Sequence, residues 1–423
     1  MEGALVLFVI TYLLMLLCGQ YKTYIALLSA LAFLFSGLLP FEKLLQVIDF
    51  NVLLMLVGMM GLVSLFVESK MPGRIAEHMM KKVPDVKWAV VSLALLAGAL
   101  SAFIDNVATV LIFAPVALEI SRKLQTNPVP AVIAIAVSAN LQGAATLVGD
   151  TTAILLGSAL DMSFFDFFFY RGEGGMFFAV ELGALLSMTV LLFLFRKENA
   201  PIEKVRAKTK VKDKTPTALL IFAVVLMALA SFIPDKPDIT NGLICCTLFG
   251  IGLALHYLKH RSLDALLSHI QKVDFHTVGL LLGLFIMIGA ITEQGVIDEV
   301  ASLLARLGDG NVFVLYTIIV FASVLISAFI DNIPYVATMI PVIGGLATTL
   351  GIDPTVLYFG LLSGATLGGN CTPIGASANI TGIGILRQEG YEVKNSDFFK
   401  IGIPFTLAAI IPAYIYLWLT YGM

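Results

Sequence analysis

Long apolar runs separated by short charged stretches make up the chain from end to end. Runs long enough to cross, or nearly cross, a hydrocarbon core of about 30 Å begin at Gly3, Thr23 and Phe50. Trp88 to Ile120 follows, broken at Asp105 and Asn106, then Ala131 to Leu160, rich in Gly and Thr, and Met176 to Phe195. The pattern resumes at Pro216, Asn241 and Thr277, continues from Val312 to Leu350 with a break at Asp331 and Asn332, and ends with Thr355 to Leu386 and Ile401 to Leu419. Runs that are apolar on every side carry no period that separates helix from strand. Membrane strands need only about 9–11 alternating residues, so the lengths predict helices.

Composition narrows the class. Hydrophobic residues are 59% of the 423 and charged residues 13%, against about 45–50% and about 25% in soluble domains. Mean hydropathy is +0.95. A soluble globule has too little polar surface to cover that much apolar side chain. The net charge of −3 offers no basic face for nucleic acid, so the expected partners are the lipid bilayer and a small ion or small molecule. Cys18, Cys245, Cys246 and Cys371 form no CxxC pair, and Cys245 and Cys246 read as lipid-phase packing. Gly3 to Cys18 has no basic leader and no small-residue cleavage site, and is expected to stay as a helix.

One stretch is clearly polar. Residues 196–215 carry Arg196, Lys197, Lys204, Arg206, Lys208, Lys210, Lys212 and Lys214 against Glu198, Glu203 and Asp213. They divide the chain into a first repeat, 1–195, a basic linker, 196–215, and a second repeat, 216–423. The positive-inside rule puts the linker in the cytoplasm of a multi-pass cell (inner) membrane protein. The loop with Lys70, Arg74, Lys81, Lys82 and Lys87 then falls inside, as do Arg122 with Lys123 and Lys259 with Arg261. The loop with Asp161, Asp166 and Glu173 and the loop with Asp298, Glu299 and Asp309 fall outside, with both termini.

The halves repeat one another. Ser101-Ala-Phe-Ile-Asp105-Asn106 recurs residue for residue as Ser327-Ala-Phe-Ile-Asp331-Asn332, 226 residues on. At that offset Pro115 falls on Pro341, Gly143 on Gly369, Thr146 on Thr372 and Gly149 on Gly375. With one residue of slippage Asp49-Phe50 pairs with Asp274-Phe275, and Glu68 with Glu293. A duplicated unit with an odd number of crossings inserts in opposite orientations, the inverted-repeat plan of secondary transporters. The expected fold is an all-α polytopic membrane protein: two inverted-topology repeats of about five transmembrane helices, each with a re-entrant hairpin and a broken helix.

Ionisable groups deep in apolar runs cost at least about 2.5–3.5 kcal/mol and mark functional sites. Asp105 and Asp331 each interrupt such a run and are followed by an amide, Asn106 and Asn332. Two readings fit, a re-entrant hairpin with its tip at mid-depth or a tight turn at the far surface; the arms are short for full spans and favour the hairpin. The second feature is Ser138-Ala-Asn140-Leu-Gln142-Gly143-Ala-Ala-Thr146-Leu-Val-Gly149-Asp150-Thr151-Thr152, matched by Gly364 to Asn379 with Asn370, Thr372 and Ser377. Clustered Gly, Thr and Pro favour unwinding. Freed carbonyls and hydroxyls suit a hard cation, while the bland alternative for Gly143, Gly368 and Gly369 is close helix packing. No Lys or Arg lies in the deep segments, so Asp105, Asp150 and Asp331 suit Na⁺ or a proton. Desolvation raises the pKa of a buried carboxylate and a bound cation lowers it, so the two ions compete. The five histidines read as interfacial.

FIDNVATVLIFAPV from Phe103, FIDNIPYVATMIPV from Phe329 and GATLGGNCTPIGASAN from Gly364 resemble the ArsB/NhaD/P-protein permease family of the ion transporter superfamily, with its citrate transporter-like domain. The resemblance covers roughly Asp49 to Phe399. It implies opposed hairpins, elevator-type alternating access, a homodimer and no cofactor beyond the coupling ion. It also implies ligation by Asp105, Asn106, Thr109, Gly149, Asp150, Asp331, Asn332, Asn370, Thr372, Ser377 and Asn379; the unwound stretches add Asn140, Thr146 and Thr151. Na⁺ would sit at Asp105, Asn106, Asp331 and Asn332. The chain departs from many relatives at Thr151-Thr152-Ala153, where Pro-Pro-Asn is common, and at Cys371, where Gly is usual.

The leading expectation is Na⁺/H⁺ antiport, and not an enzyme. Arsenite or antimonite efflux and Na⁺-coupled carboxylate or anion transport are alternatives. An intramembrane aspartyl protease would use Asp105 and Asp331 as a proton-sharing pair, but each Asp belongs to a repeated motif and no GxGD occurs. A passive channel is separated only by flux measurements.

Overall fold

The computed structural model describes residues 1–81, 83–201, 210–211 and 213–423. Lys82, Glu203, Lys204, Arg206, Lys208 and Lys212, counted above as loop charges, lie outside the described residues, as does the side chain of Lys123. The described chain is almost wholly helical. Its first half holds α1 (Glu2–Leu17), α2 (Lys22–Phe35), the single turn α3 (Leu44–Val47), α4 (Phe50–Glu68), α5 (Met71–Met80), α6 (Val86–Ser101), α7 (Asn106–Leu124), α8 (Val129–Gly143), α9 (Thr151–Ala159) and α10 (Met176–Leu194). The second half holds α11 (Thr215–Ala230), α12 (Thr240–His260), α13 (Leu263–Gln271), α14 (Phe275–Glu293), α15 (Val296–Leu307), α16 (Val312–Ser327), α17 (Asn332–Leu350), α18 (Thr355–Gly368), α19 (Ser377–Gln388) and α20 (Asn395–Tyr421). A small antiparallel hairpin, β1 (Phe169–Tyr170) and β2 (Glu173–Gly174), precedes α10. Arg171 (φ 53°) and Gly172 (φ 86°) make its two-residue turn, both left-handed as a type I′ turn requires.

Six helices, α4, α10, α12, α14, α17 and α20, are long and apolar enough to cross a membrane. The count reaches eight if the bent pairs α1 with α2 and α15 with α16, each turned by 113°, are single spans. Three segments expected to be loops are helices: α5, α13 and α15. Their charged residues occupy one side and their apolar residues the other, so they lie against the bundle as amphipathic helices.

The repeat is visible in the caps and the packing. Asp49 caps α4 by accepting from Val52 N at 3.0 Å, and its mate Asp274 caps α14 by accepting from Thr277 N at 3.1 Å. α4 packs on α12 as α14 packs on α2; α6 packs on α8 as α16 packs on α18; α10 and α20 pack on each other. The α4–α12 seam is held close by glycine, since a Cβ on Gly58 would come within 2.4 Å of the Cys245 carbonyl carbon. Cys245 is therefore buried between protein helices and not turned to lipid.

Contacts at the two ends of α10 fix the relative direction of the halves. Beyond its C-terminal end, Glu198 O accepts from Lys87 N at 2.9 Å, at the start of α6. Just before its N-terminal end, Arg171 pairs with Asp353, between α17 and α18. The α6–α7 hairpin thus has its base at the linker face, and the α16–α17 hairpin has its base at the opposite face. α10, 19 residues, spans roughly 28 Å between them. Both chain ends lie opposite the linker: Met1 N donates to Gln294 at 3.5 Å, beyond α14, and Tyr421 Oη to Gly174 O at 3.2 Å. Two bodies result. One groups α1, α2, α4 and α11–α14; the other groups α6–α10 with α16–α20.

Candidate functional site

The two hairpin tips are built alike. Asp105 Oδ1 accepts from Val107 N at 3.0 Å and Ala108 N at 3.1 Å, capping α7, and Asp331 Oδ1 accepts from Ile333 N at 3.1 Å, capping α17. Ser101 Oγ donates to Asn106 Oδ1 at 2.9 Å, and Ser327 Oγ donates to Asn332 Oδ1. The chain unwinds after α8 and α18, as the Gly and Thr clusters predict. Each unwound stretch is fastened to its hairpin turn: Thr146 Oγ1 donates to Ala102 O, and Thr372 Oγ1 to Ala328 O. Glycine is required at the closest approach. A Cβ on Gly149 would lie 2.6 Å from Gly143 O, and one on Gly375 would lie 2.6 Å from Gly369 O. Asp150 then caps α9, accepting from Thr151 N at 2.8 Å and Thr152 Oγ1 at 2.9 Å.

Tips and unwound stretches meet around one cavity of about 540 Å³, room for some 18 waters at about 30 Å³ each. Asp105, Asn106, Asn140, Asp150, Thr151, Asp331, Asn332 and Ser377 line it. On the other wall it runs along α4 from Met60, near the middle of that helix, to Glu68 at its end, and reaches Lys272, Asp274 and Thr277. Asp105 lies beside Met59 and Met60, level with the middle of α4, and the cavity extends from there to the end of that helix. The Lys259–Asp213 contact of 2.8 Å joins that side to the linker. The cavity lies on the seam between the two bodies.

Other expected ligands are not on this wall. Asn370 and Asn379 are buried behind it: Asn140 Nδ2 donates to Asn370 Oδ1 at 2.9 Å and to Asn379 Oδ1 at 3.0 Å, joining the halves. Asn379 Nδ2 donates to Gly369 O at 2.9 Å and Thr372 O at 3.0 Å, bracing the unwound backbone. Thr146 and Thr372 are committed to the hairpin turns, and Gly149 lines a small adjoining crevice beside Asp105 and Asp150. Thr109 is buried on α7. Its Oγ1 and Asn140 Oδ1 are enclosed oxygens without a hydrogen-bond partner.

The reading that no cation reaches the deep acids needs correction. Lys22, at the bend between α1 and α2, forms an ion pair with Asp331, both side chains about a quarter to a third exposed. Lys272 lines the cavity and donates to Glu68 Oε2 at 3.0 Å. Neither lysine is inside an apolar run, so their positions gave no sign of this. The one available signal was that Lys22 stands alone between two apolar helices. Among the histidines, His269 is buried within the protein, on the amphipathic helix α13 between two spans.

These features fit a polytopic membrane transporter: crossing helices, two broken helices, and a cavity inside the helical bundle where acidic and amide side chains of both halves meet. The family model described as "Citrate transporter" matches residues 12–364 and 267–423, and the chain belongs to that family. It is 32% identical to an uncharacterised transporter of Mycobacterium tuberculosis over 429 residues, covering 99% of this chain and 98% of the relative. It is 28% identical to the human P protein over 446 residues, covering 88% of this chain and 53% of that longer protein. Among solved structures, the Alcanivorax borkumensis YdaH transporter superposes with a TM-score of 0.63 at 14% identity, over 90% of this chain and 88% of the other, a likeness of fold.

Proposed function

We propose that the protein is a secondary active transporter coupled to Na⁺ or H⁺, with Na⁺/H⁺ antiport as the leading reading. One observation carries it: Asp105, Asp150 and Asn140 line one cavity, and Asn140 Oδ1 is buried there without a hydrogen-bond partner, as is Thr109 Oγ1 one turn along α7 from Asp105, behind the wall. Carboxylate, amide and hydroxyl oxygens are the donor set of a hard cation. Asp331 already holds the Lys22 ammonium. The exchangeable ion belongs to the first-half tip.

The cavity opening at the linker face, with the linker cytoplasmic, corresponds to an inward-facing state in the cell membrane. Elevator-type exchange would slide the body carrying both tips along the seam with α4 and α14. Two substituted cysteines test the opposed hairpins: Gln125→Cys and Thr349→Cys, at the hairpin bases, should label from opposite sides of the membrane. Labelling of both from one side would refute that arrangement.

A second reading, cation-coupled carboxylate uptake, draws on the family's description and on the cavity volume, which far exceeds one bare ion. Five acids line or reach the cavity (Asp105, Asp150, Asp331, Asp274 and Glu68). A polyanion would enter only with compensating cations. Reconstituted vesicles with an imposed pH gradient, offered Na⁺, Li⁺, arsenite, citrate or dicarboxylates, separate the readings. Na⁺-dependent proton flux without any anion supports antiport; proton flux that requires citrate supports the second reading; downhill leakage alone would reject both in favour of a channel.

A further inference from the structure

On the linker side of the cavity, three side chains from three helices converge: Glu68 at the end of α4, His256 near the end of α12 and His269 in α13. Their ligand-bearing atoms all lie within 4.8 Å of one another. The proposed transport reading uses neither histidine.

The hydrogen bonds around His269 fix its tautomer. Ser64 Oγ donates to Gly61 O at 2.8 Å, so its one hydrogen is committed. The 3.1 Å contact between Ser64 Oγ and His269 Nδ1 then requires the ring N–H to be the donor. With the proton on Nδ1, Nε2 carries a bare lone pair. Nε2 is buried, has no hydrogen-bond partner and lies 3.3 Å from Glu68 Oε2. Nε2 of His256 is also enclosed and unpartnered, and its ring stands edge-on to that of His269 at 4.7 Å. His269 Nε2 therefore turns a lone pair toward the Glu68 carboxylate, an arrangement that a cation held between them would relieve.

We propose that Glu68, His256 and His269 form a binding site for a divalent transition metal of the zinc class. Two nitrogens and one carboxylate oxygen with a position left open is a ligand set such ions take. Ligands about 2.0–2.1 Å from a tetrahedral zinc lie about 3.3–3.4 Å apart, and Nε2 of His269 stands 3.3 Å from Glu68 Oε2. Ser64 supplies the outer hydrogen bond that orients a metal-bound imidazole. Lys272 now holds the same Glu68 oxygen, and the carboxylate has a second oxygen to which that ammonium can turn. The ion ties α12 and α13 to α4 where α4 forms the cavity wall.

The test uses the full-length protein in detergent, stripped with a chelator and titrated with Co²⁺. The visible absorption of four- or five-coordinate Co²⁺ should saturate at one ion per chain and be displaced by Zn²⁺. His256→Ala and Glu68→Gln should each weaken binding by about tenfold or more, while His260→Ala, whose ring only stacks on His256 at 4.4 Å, should leave it unchanged. Both informative variants sit at partly exposed positions, and a thermal melt of each confirms folding. No visible band in the wild type at saturating Co²⁺, or wild-type affinity in either variant, would overturn the site.

Discussion

The two hairpin tips carry the same six residues but stand in different electrostatic surroundings. In the second half Asp331 is paired with Lys22, and the position matching Asp150 is Ala376. In the first half Asp105 and Asp150 share one wall, and among the described residues no ion pair is formed by either. The backbone scaffold was copied and the charges were not. The comparison teaches that a duplicated motif fixes where a carboxylate is held, while neighbours outside the repeat decide what neutralises it. One tip has its counter-ion built in; the other has none among the described residues, and it is there that the proposed mobile ion would act.

The strongest way to break this contrast is Asp105→Asn. Asparagine is as good an N-cap as aspartate, so α7 should form and the melting temperature should hold. Removing one partner of a buried charge interaction is worth about 3–5 kcal/mol, which corresponds to a loss of at least about 100-fold in cation-driven flux. Full ion-dependent flux in this variant would refute the assignment of Asp105.

Lys22 tests the other tip. Lys22→Met leaves Asp331 without its ammonium, so the second tip should acquire affinity for an added cation, read as an apparent Na⁺ affinity about tenfold tighter or a steeper Na⁺ dependence. Asp331→Asn should reduce flux by stranding Lys22, and the Lys22→Met/Asp331→Asn pair should recover part of the loss. The same Lys22→Met change should not rescue Asp105→Asn. Equal rescue of both tips would show that the contrast has no functional weight.

Much of this was legible in the residues because it rests on local interruptions. An Asp-Asn pair inside an apolar run stops one helix and caps the next, and Gly with Thr near Gly149 and Gly375 unwinds α8 and α18 where expected. α5, α13 and α15 were not legible as helices. Their charged faces resemble loop composition once one expects only crossing spans, although their apolar residues recur at helical spacing. The roles of Asn370, Asn379, Thr146 and Thr372 were also hidden. Residue type identified polar groups at mid-depth, but only the fold decides which face the cavity and which brace the backbone. Lys22 lies 309 positions from Asp331, beyond the reach of any local pattern.

Two smaller changes probe the part of the comparison that should be symmetric. Gly149→Ala and Gly375→Ala would each press a Cβ to 2.6 Å from a backbone carbonyl. Overpacking of this kind typically costs about 1–3 kcal/mol, so both should lower the melting temperature by similar amounts. A drop confined to one copy would mean that the unwound stretches differ in rigidity as well as in charge.

The mildest test is Thr146→Val against Thr372→Val. Each removes one hydroxyl that fastens an unwound stretch to its hairpin turn through Ala102 O or Ala328 O. Leaving a buried carbonyl without its donor costs about 1–3 kcal/mol, at the lower end here because valine nearly fills the same volume. The stability losses should match. Transport should not: loosening the Thr146 tether displaces Asp105 and Asp150 relative to one another and should weaken apparent Na⁺ affinity, whereas the Thr372 tether holds a tip that Lys22 also restrains. Equal transport defects in the two variants would place the mobile ion between the tips, and not at the first-half tip alone.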